Sequence, residues 1–364
     1  MRKWSIILCL LITVAFLVSF TANESEAESL RKMYSRPPSE WPKPTVDAGI
    51  EWKELGVLPA SPVNKDSLKQ LIELGKILFF DTRLSGSGKL SCASCHQPEL
   101  NWTDGKEKSV GHEGTVNKRN SPSIQNTWFY KKLFWDGRSN SLEDQAFAPI
   151  NSESEMHGDI RELPRNLRKI KAYVALFNAA FGSEGIDPDR IAIALAAFER
   201  TIVSRPSKFD EFLLGNKKAL NNEELKGLHL FRTRARCMNC HNGALFSDNQ
   251  FHNNGFHVYE NGFMDSAKFD KGLYNVTHNL SDFGKFKTPS LRDVMKTGPW
   301  MHMGQMKTMT ELISHYNKGA EGNGGAEKTV KMLFLSLKEQ AELQAFLHAI
   351  SSSPRHFNKP LIPE

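Results

Sequence analysis

Four of the chain's five cysteines fall in two C-x-x-C-H motifs, Cys92-Ala93-Ser94-Cys95-His96 and Cys237-Met238-Asn239-Cys240-His241. At this spacing the two cysteines form thioethers with a porphyrin, and the histidine becomes an axial ligand of its iron. Redox-active cysteine pairs, a four-cysteine zinc site and two separate disulfides are the alternatives. None of them requires a histidine after each pair, so the pattern predicts two covalent c-type haems with His96 and His241 as iron ligands.

The first residues have the composition of a secretory signal peptide. Basic residues precede an apolar run from Trp4 to Phe20, and small residues follow up to Ala27. A transmembrane anchor is the alternative, but the run is short for a membrane span and an S-x-A cleavage pattern follows it. We therefore predict a signal peptide at residues 1–27 and export to the periplasm, with Cys9 lost on cleavage.

The charge of the chain does not indicate a nucleic-acid partner. Its 47 lysines and arginines, against 41 acidic residues, give a formal net charge of +6 at pH 7. The basic residues are scattered and are not interleaved with aromatic side chains, so a solvated surface is their ordinary interpretation. We expect no binding of nucleic acid.

The sequence around each motif is repeated. A helical segment with the pattern L-G-K-x-L-F-F begins at Leu74, and one with the pattern L-K-G-L-H-L-F begins at Leu225, each leading to a C-x-x-C-H motif. After the motifs, Trp102-Thr103-Asp104 and Phe246-Ser247-Asp248 lie at nearly the same offset from the two histidines. The repeat predicts a mainly α fold of two fused cytochrome c-like domains, each with one covalent c-type haem.

Chain breakers and apolar periodicity suggest the boundaries. Residues 28–63 are rich in proline and predict an extended arm, followed by domains at 64–207 and 208–364. Two helices are predicted at 164–181 and 188–204, a linker at 204–214, and a long loop at 242–306. Asn222, Thr308 and Ser336 are predicted to cap later helices.

Further motifs extend over nearly the whole mature chain. In the first half they are Leu74-Gly75-Lys76-x-Leu78-Phe79-Phe80-Asp81, Phe134-Trp135-Asp136-Gly137-Arg138, Leu142-Glu143-Asp144-Gln145-Ala146, Pro149 and Glu155-Met156. In the second half they are Phe286-Lys287-Thr288-Pro289-Ser290-Leu291-Arg292, Met301-His302-x-Gly304 and His315-Tyr316-Asn317. Together they resemble the bacterial di-haem cytochrome c peroxidases and the related enzyme MauG. The resemblance implies that the N-terminal haem is the peroxide site.

The resemblance assigns the peroxide chemistry to two side chains. Glu155 and Gln145 match the family's distal glutamate and glutamine. A carboxylate above the iron can take a proton from the near peroxide oxygen and return it to the far one, which then leaves as water. Either residue alone would be interpreted as a surface residue, but their joint spacing from Trp135 favours the site. Trp135 matches the tryptophan that relays electrons between the haems, although a lone tryptophan is more often plain core.

The second axial ligand of each haem iron is predicted to be a different residue type in the two halves. His112 matches the histidine that ligates the N-terminal iron in resting peroxidases, whereas a lone loop histidine is usually solvated. Where the standard peroxidases have a methionine ligand to the second haem, this chain has Tyr316, the residue type of MauG. An ordinary half-buried aromatic is the alternative for Tyr316, and other ligands are available nearby in Met301, Met303, Met306 and Met309. A phenolate oxygen stabilises oxidised iron, whereas a thioether raises the iron's potential.

The resemblance also implies a calcium ion between the domains. Asn120, Thr297 and the carbonyl of Pro299 match the residues that hold it. Oxygen ligands suit Ca²⁺, although three scattered ligands are a weak signal by themselves. A Ca²⁺-linked homodimer is common in the peroxidase branch and is an expectation here.

Three functions are compatible with the sequence. The first is a periplasmic di-haem peroxidase that reduces hydrogen peroxide to water with electrons from a small cytochrome c or cupredoxin, passed between the haems through Trp135. The second, favoured by Tyr316, is a MauG-like enzyme that oxidises side chains of a partner protein. The third is a non-catalytic di-haem electron-transfer cytochrome, which Glu155-dependent peroxide reactivity would exclude.

Overall fold

The computed structural model describes residues 26–182, 185–256, 270–320, 327, 329–352 and 356–364. Nearly all of the predicted signal peptide therefore lies outside the described residues. Within the described ranges, none of the helices is both long enough and apolar enough to cross a membrane.

Helices carry most of the regular structure. They are 26–34 (α1), Lys69–Phe80 (α2), Cys92–Cys95 (α3), Leu142–Asn151 (α4), Leu163–Leu167 (α5), Lys171–Phe181 (α6), Pro188–Glu199 (α7), Lys208–Leu213 (α8), Asn222–Arg232 (α9), Tyr274–Thr277 (α10), Met309–Lys318 (α11) and Leu337–Ala349 (α12). The strands Phe251–His252 (β1) and Phe286–Lys287 (β2) pair antiparallel, with Phe251 opposite Lys287. The mainly α prediction is confirmed.

Each half is built on one pair of crossing helices. In the first half α2 packs on α7, and in the second α9 packs on α12. A Cβ on Gly75 would lie 1.8 Å from the carbonyl oxygen of Ala194, and a Cβ on Gly227 would lie 2.0 Å from that of Glu342. Only a residue without a side chain allows this approach. The repeat in the sequence therefore corresponds to the same helix crossing in both halves.

Two hydrophobic cores surround these crossings. The first includes Leu78 and Phe79 of α2 and Phe198 of α7. The second includes Phe231 of α9 and Phe346 of α12. Each half thus buries its own apolar side chains, as a cytochrome c-like unit must in order to hold a haem.

The N-terminal arm packs on the second half. Its beginning is the helix α1 and is not extended as predicted, because burial of Leu30 and Tyr34 in the second core favours a helix there. The following residues are extended. The fully buried guanidinium of Arg232 pairs with Glu54 and donates a 2.8 Å hydrogen bond to the carbonyl of Pro42. A buried guanidinium requires such partners, so these contacts hold the arm in place.

Two predicted helices have different bounds in the structure. The helix expected at 164–181 is divided into α5 and α6, because Ile170 between them is extended, with φ −104° and ψ 105°. The helix expected at 188–204 ends at Glu199. Local propensity favoured longer helices, and the packing of the first core ended them earlier.

The predicted linker at 204–214 is largely a helix. It contains α8, whose Phe209 and Phe212 are fully buried in the second core. Ser207 caps this helix by accepting a hydrogen bond from the backbone N–H of Asp210. The middle of the predicted linker is therefore a short helix that packs against the second core.

The predicted caps of the later helices hold with one correction. Thr308 and Ser336 form capping boxes at the starts of α11 and α12. For α9 the cap is Asn221, not Asn222, because the side chain of Asn221 accepts the hydrogen bond from the backbone N–H of Glu224. Adjacent asparagines made this one-residue error easy.

The loop expected at 242–306 contains short regular elements. It holds β1, α10 and β2, which the sequence did not reveal. Residues 257–269 lie outside the described part. The short strand pair places His252 and Lys287 beside the site described below.

The C-terminal residues return to the first half. Phe357 stacks on Phe80 with ring centroids 5.5 Å apart and meets Trp102 edge-on at 5.1 Å. Phe357→Ala is expected to lower the free energy of unfolding by about 1–2 kcal/mol, because it removes a half-buried aromatic side chain and its ring contacts. Chemical denaturation measures this loss. Leu361→Ala removes a side chain that is 94% exposed and should change little, so equal losses would contradict the role of Phe357.

Candidate active site

Both motif histidines are oriented by the backbone that follows them. His96 Nδ1 donates a 3.0 Å hydrogen bond to the carbonyl of Trp102, and His241 Nδ1 donates a 2.9 Å bond to the carbonyl of Phe246. These acceptors are the residues that the repeat placed at similar offsets. Burial lowers the pKa of both histidines, which favours neutral imidazole. With Nδ1 occupied, Nε2 is the nitrogen left to ligate a metal, an arrangement typical of axial histidines.

One cavity of about 350 Å³ reaches both halves of the molecule. It is lined by His96 and His241, which belong to different halves. Trp135, Gln145 and Tyr316 line the same cavity. The structure thus brings together five of the residues that the sequence predicted for the site.

The residues around this cavity fit haem groups. Cys237 and Cys240 line it beside His241. The Nζ atom of Lys287 lies 3.5 Å from the ring centroid of Tyr130, and burial lowers the pKa of Lys287 to about 7. Within the described residues it forms no ion pair with a carboxylate. The propionate groups of a haem would supply an anionic partner for Lys287.

The two cysteine pairs do not meet in one metal site. Among the described residues, the one group of three or more clustered His, Cys, Asp or Glu side chains is Cys240 with Asp248 and His252. Cys92 and Cys95 lie apart from it on α3. The four cysteines therefore do not form one shared metal site.

The two residues predicted to handle peroxide occupy different positions. Gln145 on α4 lines the cavity, whereas Glu155, in the loop after α4, lies outside the cavity lining. Burial raises the pKa of Glu155, and the positive charge of Arg138 opposes this shift. Burial also raises the pKa of Cys95, and the charge of Glu155 adds to that effect, which places the carboxylate near the first motif. Glu155 is therefore a half-buried acid beside the N-terminal haem motif.

His112 lies against the loop of Glu155. Its backbone N–H donates a 2.8 Å hydrogen bond to the carbonyl of Glu155. Its ring stacks on His157, with centroids 4.3 Å apart and planes 10° from parallel. His112 Nδ1 is buried and has no hydrogen-bond partner among the described atoms. His112 is thus close to the Glu155 loop but does not line the cavity.

Trp135 is fixed by hydrogen bonds in the middle of the site. Its Nε1 donates to the carbonyl of Asn120 at 3.0 Å, and its own carbonyl accepts from the backbone N–H of Lys287 at 2.9 Å. The neighbouring Asp136 accepts a 2.6 Å hydrogen bond from Arg119, which also pairs with Asp270 of the second half at 2.7 Å. These contacts join the two halves around the indole.

The candidates for the second haem's distal ligand converge on one amide. The Tyr316 hydroxyl accepts a 3.1 Å hydrogen bond from Asn254 Nδ2, and the same nitrogen lies 3.7 Å from the sulfur of Met301. Tyr316, Met301 and Met309 line the cavity, whereas Met303 and Met306 do not. Burial raises the pKa of Tyr316 to about 12. Its phenolate form therefore requires a nearby cation, as a ferric iron would provide.

The three residues predicted to bind calcium also meet at the cavity. Asn120, Thr297 and Pro299 all line it. The Asn120 side-chain NH₂ donates to the carbonyl of Lys106 at 2.9 Å, which leaves its amide oxygen as the available ligand atom. Their positions are compatible with oxygen ligation between the two halves.

Three residues that the sequence did not single out also line the cavity: Glu199, His252 and Lys287. His252 lies between two carboxylates, with Nε2 2.8 Å from Asp248 and Nδ1 2.7 Å from Glu327. Burial disfavours its charge, but hydrogen bonds to Asp248, Cys240 and Glu327 outweigh burial and raise the pKa of His252. Of His252 and its two carboxylate partners, only Asp248 was indicated by the sequence, because it belongs to the repeated segment Phe246-Ser247-Asp248.

Comparisons with known proteins agree over most of the chain. The family model described as di-haem cytochrome c peroxidase matches residues 69–218. Cytochrome-c peroxidase IdrP1 of Pseudomonas sp. (strain SCT) is 35% identical, covering 97% of this chain and 94% of that protein. Methylamine utilization protein MauG of Methylophilus methylotrophus is 34% identical, covering 86% of this chain and 92% of that protein.

A solved structure supports the same assignment. The crystal structure of a MauG-like protein associated with microbial copper homeostasis superposes with a TM-score of 0.74 and 30% identity, covering 83% of this chain and 95% of that one. The cytochrome c-like fold predicted from the repeat is confirmed, and the family implies haem cofactors. The chain therefore belongs to the di-haem cytochrome c peroxidase family and is a haem-dependent oxidoreductase of the peroxidase type.

Proposed function

We propose that this protein is a periplasmic di-haem peroxidase that reduces hydrogen peroxide to water with electrons from a small cytochrome c or a cupredoxin. Two covalently attached haems would supply the electron-transfer and peroxide-binding chemistry when bound. The proposal is supported above all by the shared cavity, which Trp135 lines together with His96 and His241. A side chain in this position connects the two iron sites, so electrons entering one half can reach peroxide in the other.

We assign proton transfer to Glu155. Its side chain is half-buried and burial raises its pKa, so it binds a proton closer to neutral pH than an exposed glutamate does. Such a group can take a proton from the near oxygen of peroxide and give it to the far oxygen. Two electrons from the donor and two protons from solvent then complete two water molecules. Gln145 can orient the peroxide through its amide, since it lines the cavity.

Calcium has a structural role in this proposal. Asn120, Thr297 and the Pro299 carbonyl would hold the ion where the halves meet, beside the indole of Trp135. Removing it with a chelator is expected to loosen this contact and to slow electron transfer between the haems. A Ca²⁺-linked homodimer, which is common in the peroxidase branch, stays a prediction.

A second function is favoured by Tyr316. A phenolate ligand would stabilise oxidised iron in the second half, so an oxidising equivalent could be shared between the haems and passed to a partner protein. In this case the substrate is a side chain of that partner, oxidised at the expense of peroxide. The position of Tyr316 in the cavity supports this alternative.

One experiment distinguishes the two functions. The fully ferric two-haem protein is mixed with stoichiometric peroxide and followed optically, with and without a reduced small cytochrome c. Rapid oxidation of the donor after pre-reduction, with little reaction of the ferric form, supports the peroxidase and a locking role for His112. A long-lived oxidised species formed from the ferric protein and poorly quenched by donor supports the MauG-like function. The absence of any peroxide reaction contradicts both.

Tyr316→Met is expected to raise the reduction potential of the second haem, because a thioether stabilises reduced iron relative to a phenolate. Spectroelectrochemical titration of the two-haem protein measures this shift. Met301→Leu is the matched control, since Met301 lines the same cavity and approaches the same Asn254 amide. A shift in Met301→Leu with none in Tyr316→Met would assign the ligand to Met301.

A further inference from the structure

The two helix crossings allow the halves to be aligned residue by residue. A Cβ built on Gly75 meets Ala194 and Phe198 of α7, and one built on Gly227 meets Glu342 and Phe346 of α12. Phe198 comes four positions after Ala194, whose carbonyl Gly75 approaches. Phe346 likewise comes four positions after Glu342, whose carbonyl Gly227 approaches. The position after Phe198 is therefore structurally equivalent to the position after Phe346.

These equivalent positions carry very different side chains. The second half has Leu347 there, and the first half has Glu199. Both residues line the cavity and both are buried, with Glu199 only 6% exposed. An apolar residue is the expected lining for a haem pocket, whereas a carboxyl loses its hydration there. The first half thus has an acid where its counterpart has a hydrocarbon.

The Glu199 carboxyl has no positively charged partner among the described residues. Its carboxyl forms no hydrogen bond or ion pair within the described residues. Arg200, whose charge acts on Glu199, is already paired with Glu143 of α4 at 2.7 Å. Cys92 of α3 is the other ionisable group that senses its charge, and haem attachment would remove that thiol. Burial, opposed by Arg200 and assisted by Glu143, raises the pKa of Glu199 to about 8.

We propose that Glu199 is a proton-carrying carboxyl coupled to the redox state of the N-terminal haem. When an electron from the redox partner reaches that haem, the positive charge in the cavity falls by one unit, and the carboxyl takes up a proton from solvent. When the haem is oxidised again, the carboxylate is favoured and the proton is released. Glu199 therefore acts through the haem's potential and is a positioning residue, distinct from Glu155.

Thermodynamic linkage makes this coupling measurable. Between the pKa values of Glu199 in the oxidised and reduced protein, one proton accompanies one electron. At a fixed electrode potential, the ratio of reduced to oxidised N-terminal haem is then expected to fall by up to about tenfold for each unit of rising pH. At the equivalent position the second half has Leu347, which cannot titrate.

The test uses the two-haem protein and potentials measured at several pH values. Glu199→Gln, which keeps the shape, and Glu199→Leu, which copies the second half, are both expected to weaken the pH dependence of the N-terminal haem potential, and the raised pKa of Glu155 accounts for the part that is left. Glu143→Gln removes a nearby carboxylate, and this variant should retain the pH dependence of the N-terminal haem potential. A carboxylic-acid C=O band that changes with haem redox state in infrared difference spectra, and is missing in Glu199→Gln, would support the assignment.

Other outcomes would overturn the proposal. They are an unchanged pH dependence in Glu199→Gln or in Glu199→Leu, or an equal loss in Glu143→Gln. The inference deepens the proposed function but is tested without peroxide. Failure of the coupling is therefore distinguishable from failure of the peroxidase activity.

Discussion

Glu155→Gln is expected to slow the reaction with hydrogen peroxide by about 10²–10⁴-fold, the usual contribution of a positioned general acid or base. The amide keeps the shape and polarity of the side chain but cannot accept and return the peroxide proton. Stopped-flow mixing of pre-reduced two-haem protein with peroxide measures the rate. Because the amide has nearly the same shape as the carboxyl, the loss should arise from proton transfer, and the absorption spectrum of both haems should be unchanged.

Glu153→Gln is the matched control, because this glutamate lies in the same loop but is exposed. It should react at the rate of the unaltered protein. The pH dependence gives a second check. The carboxylate form is the one that accepts a proton, and burial raises the pKa of Glu155, so the rate should begin to fall at a higher pH than for an ordinary glutamate. Full reactivity in Glu155→Gln would assign the proton transfer to another group.

Asp210→Ala is expected to lower the free energy of unfolding by about 3–5 kcal/mol, because it leaves a buried guanidinium without its counter-ion. Asp210 and Arg292 form two hydrogen bonds of 2.9 Å, and both side chains are only 2% exposed. Arg292 also donates to the carbonyls of Ala244 and Gly56, at 2.6 and 2.9 Å. The pair thus joins α8, the loop after the second haem motif and the N-terminal arm.

Denaturant unfolding of the Asp210→Ala and Glu162→Ala variants tests this. Glu162 pairs with Arg165 at the surface, where such a pair contributes about 0–1 kcal/mol. Burial alone would raise the pKa of Asp210, but hydrogen bonds from Arg292 and Ser207 lower it. The folded pKa is therefore below the unfolded one. The contribution of Asp210 should be complete above the ordinary aspartate pKa and disappear as pH falls through the folded value. Equal losses in the two variants would show that the buried pair has no special role.

The parts of this protein that were predictable from sequence depend on neighbours in the chain. Each haem motif, its histidine and the carbonyl that orients the histidine lie within about ten residues, so the repeat exposed them in both halves. The capping boxes at Thr308 and Ser336 were equally visible, because a cap is a hydrogen bond to a residue three positions away.

The errors arose where packing between distant segments decided the structure. The helix predicted at 164–181 is interrupted because Arg168 bonds to the carbonyl of Ile186 and Tyr173 bonds to Asp81. The linker predicted at 204–214 is a helix because it buries two phenylalanines in the second core. Local propensity contains no information about either contact.

The sequence by itself determined that this chain has two similar halves, each with a haem motif, since thioether attachment requires a fixed local spacing. Tertiary structure alone decided that His96, Trp135 and His241 share one cavity, and that Glu199 faces it where the other half has Leu347. The physical reason is that burial, and with it the pKa of a carboxyl, depends on groups brought together from distant parts of the chain.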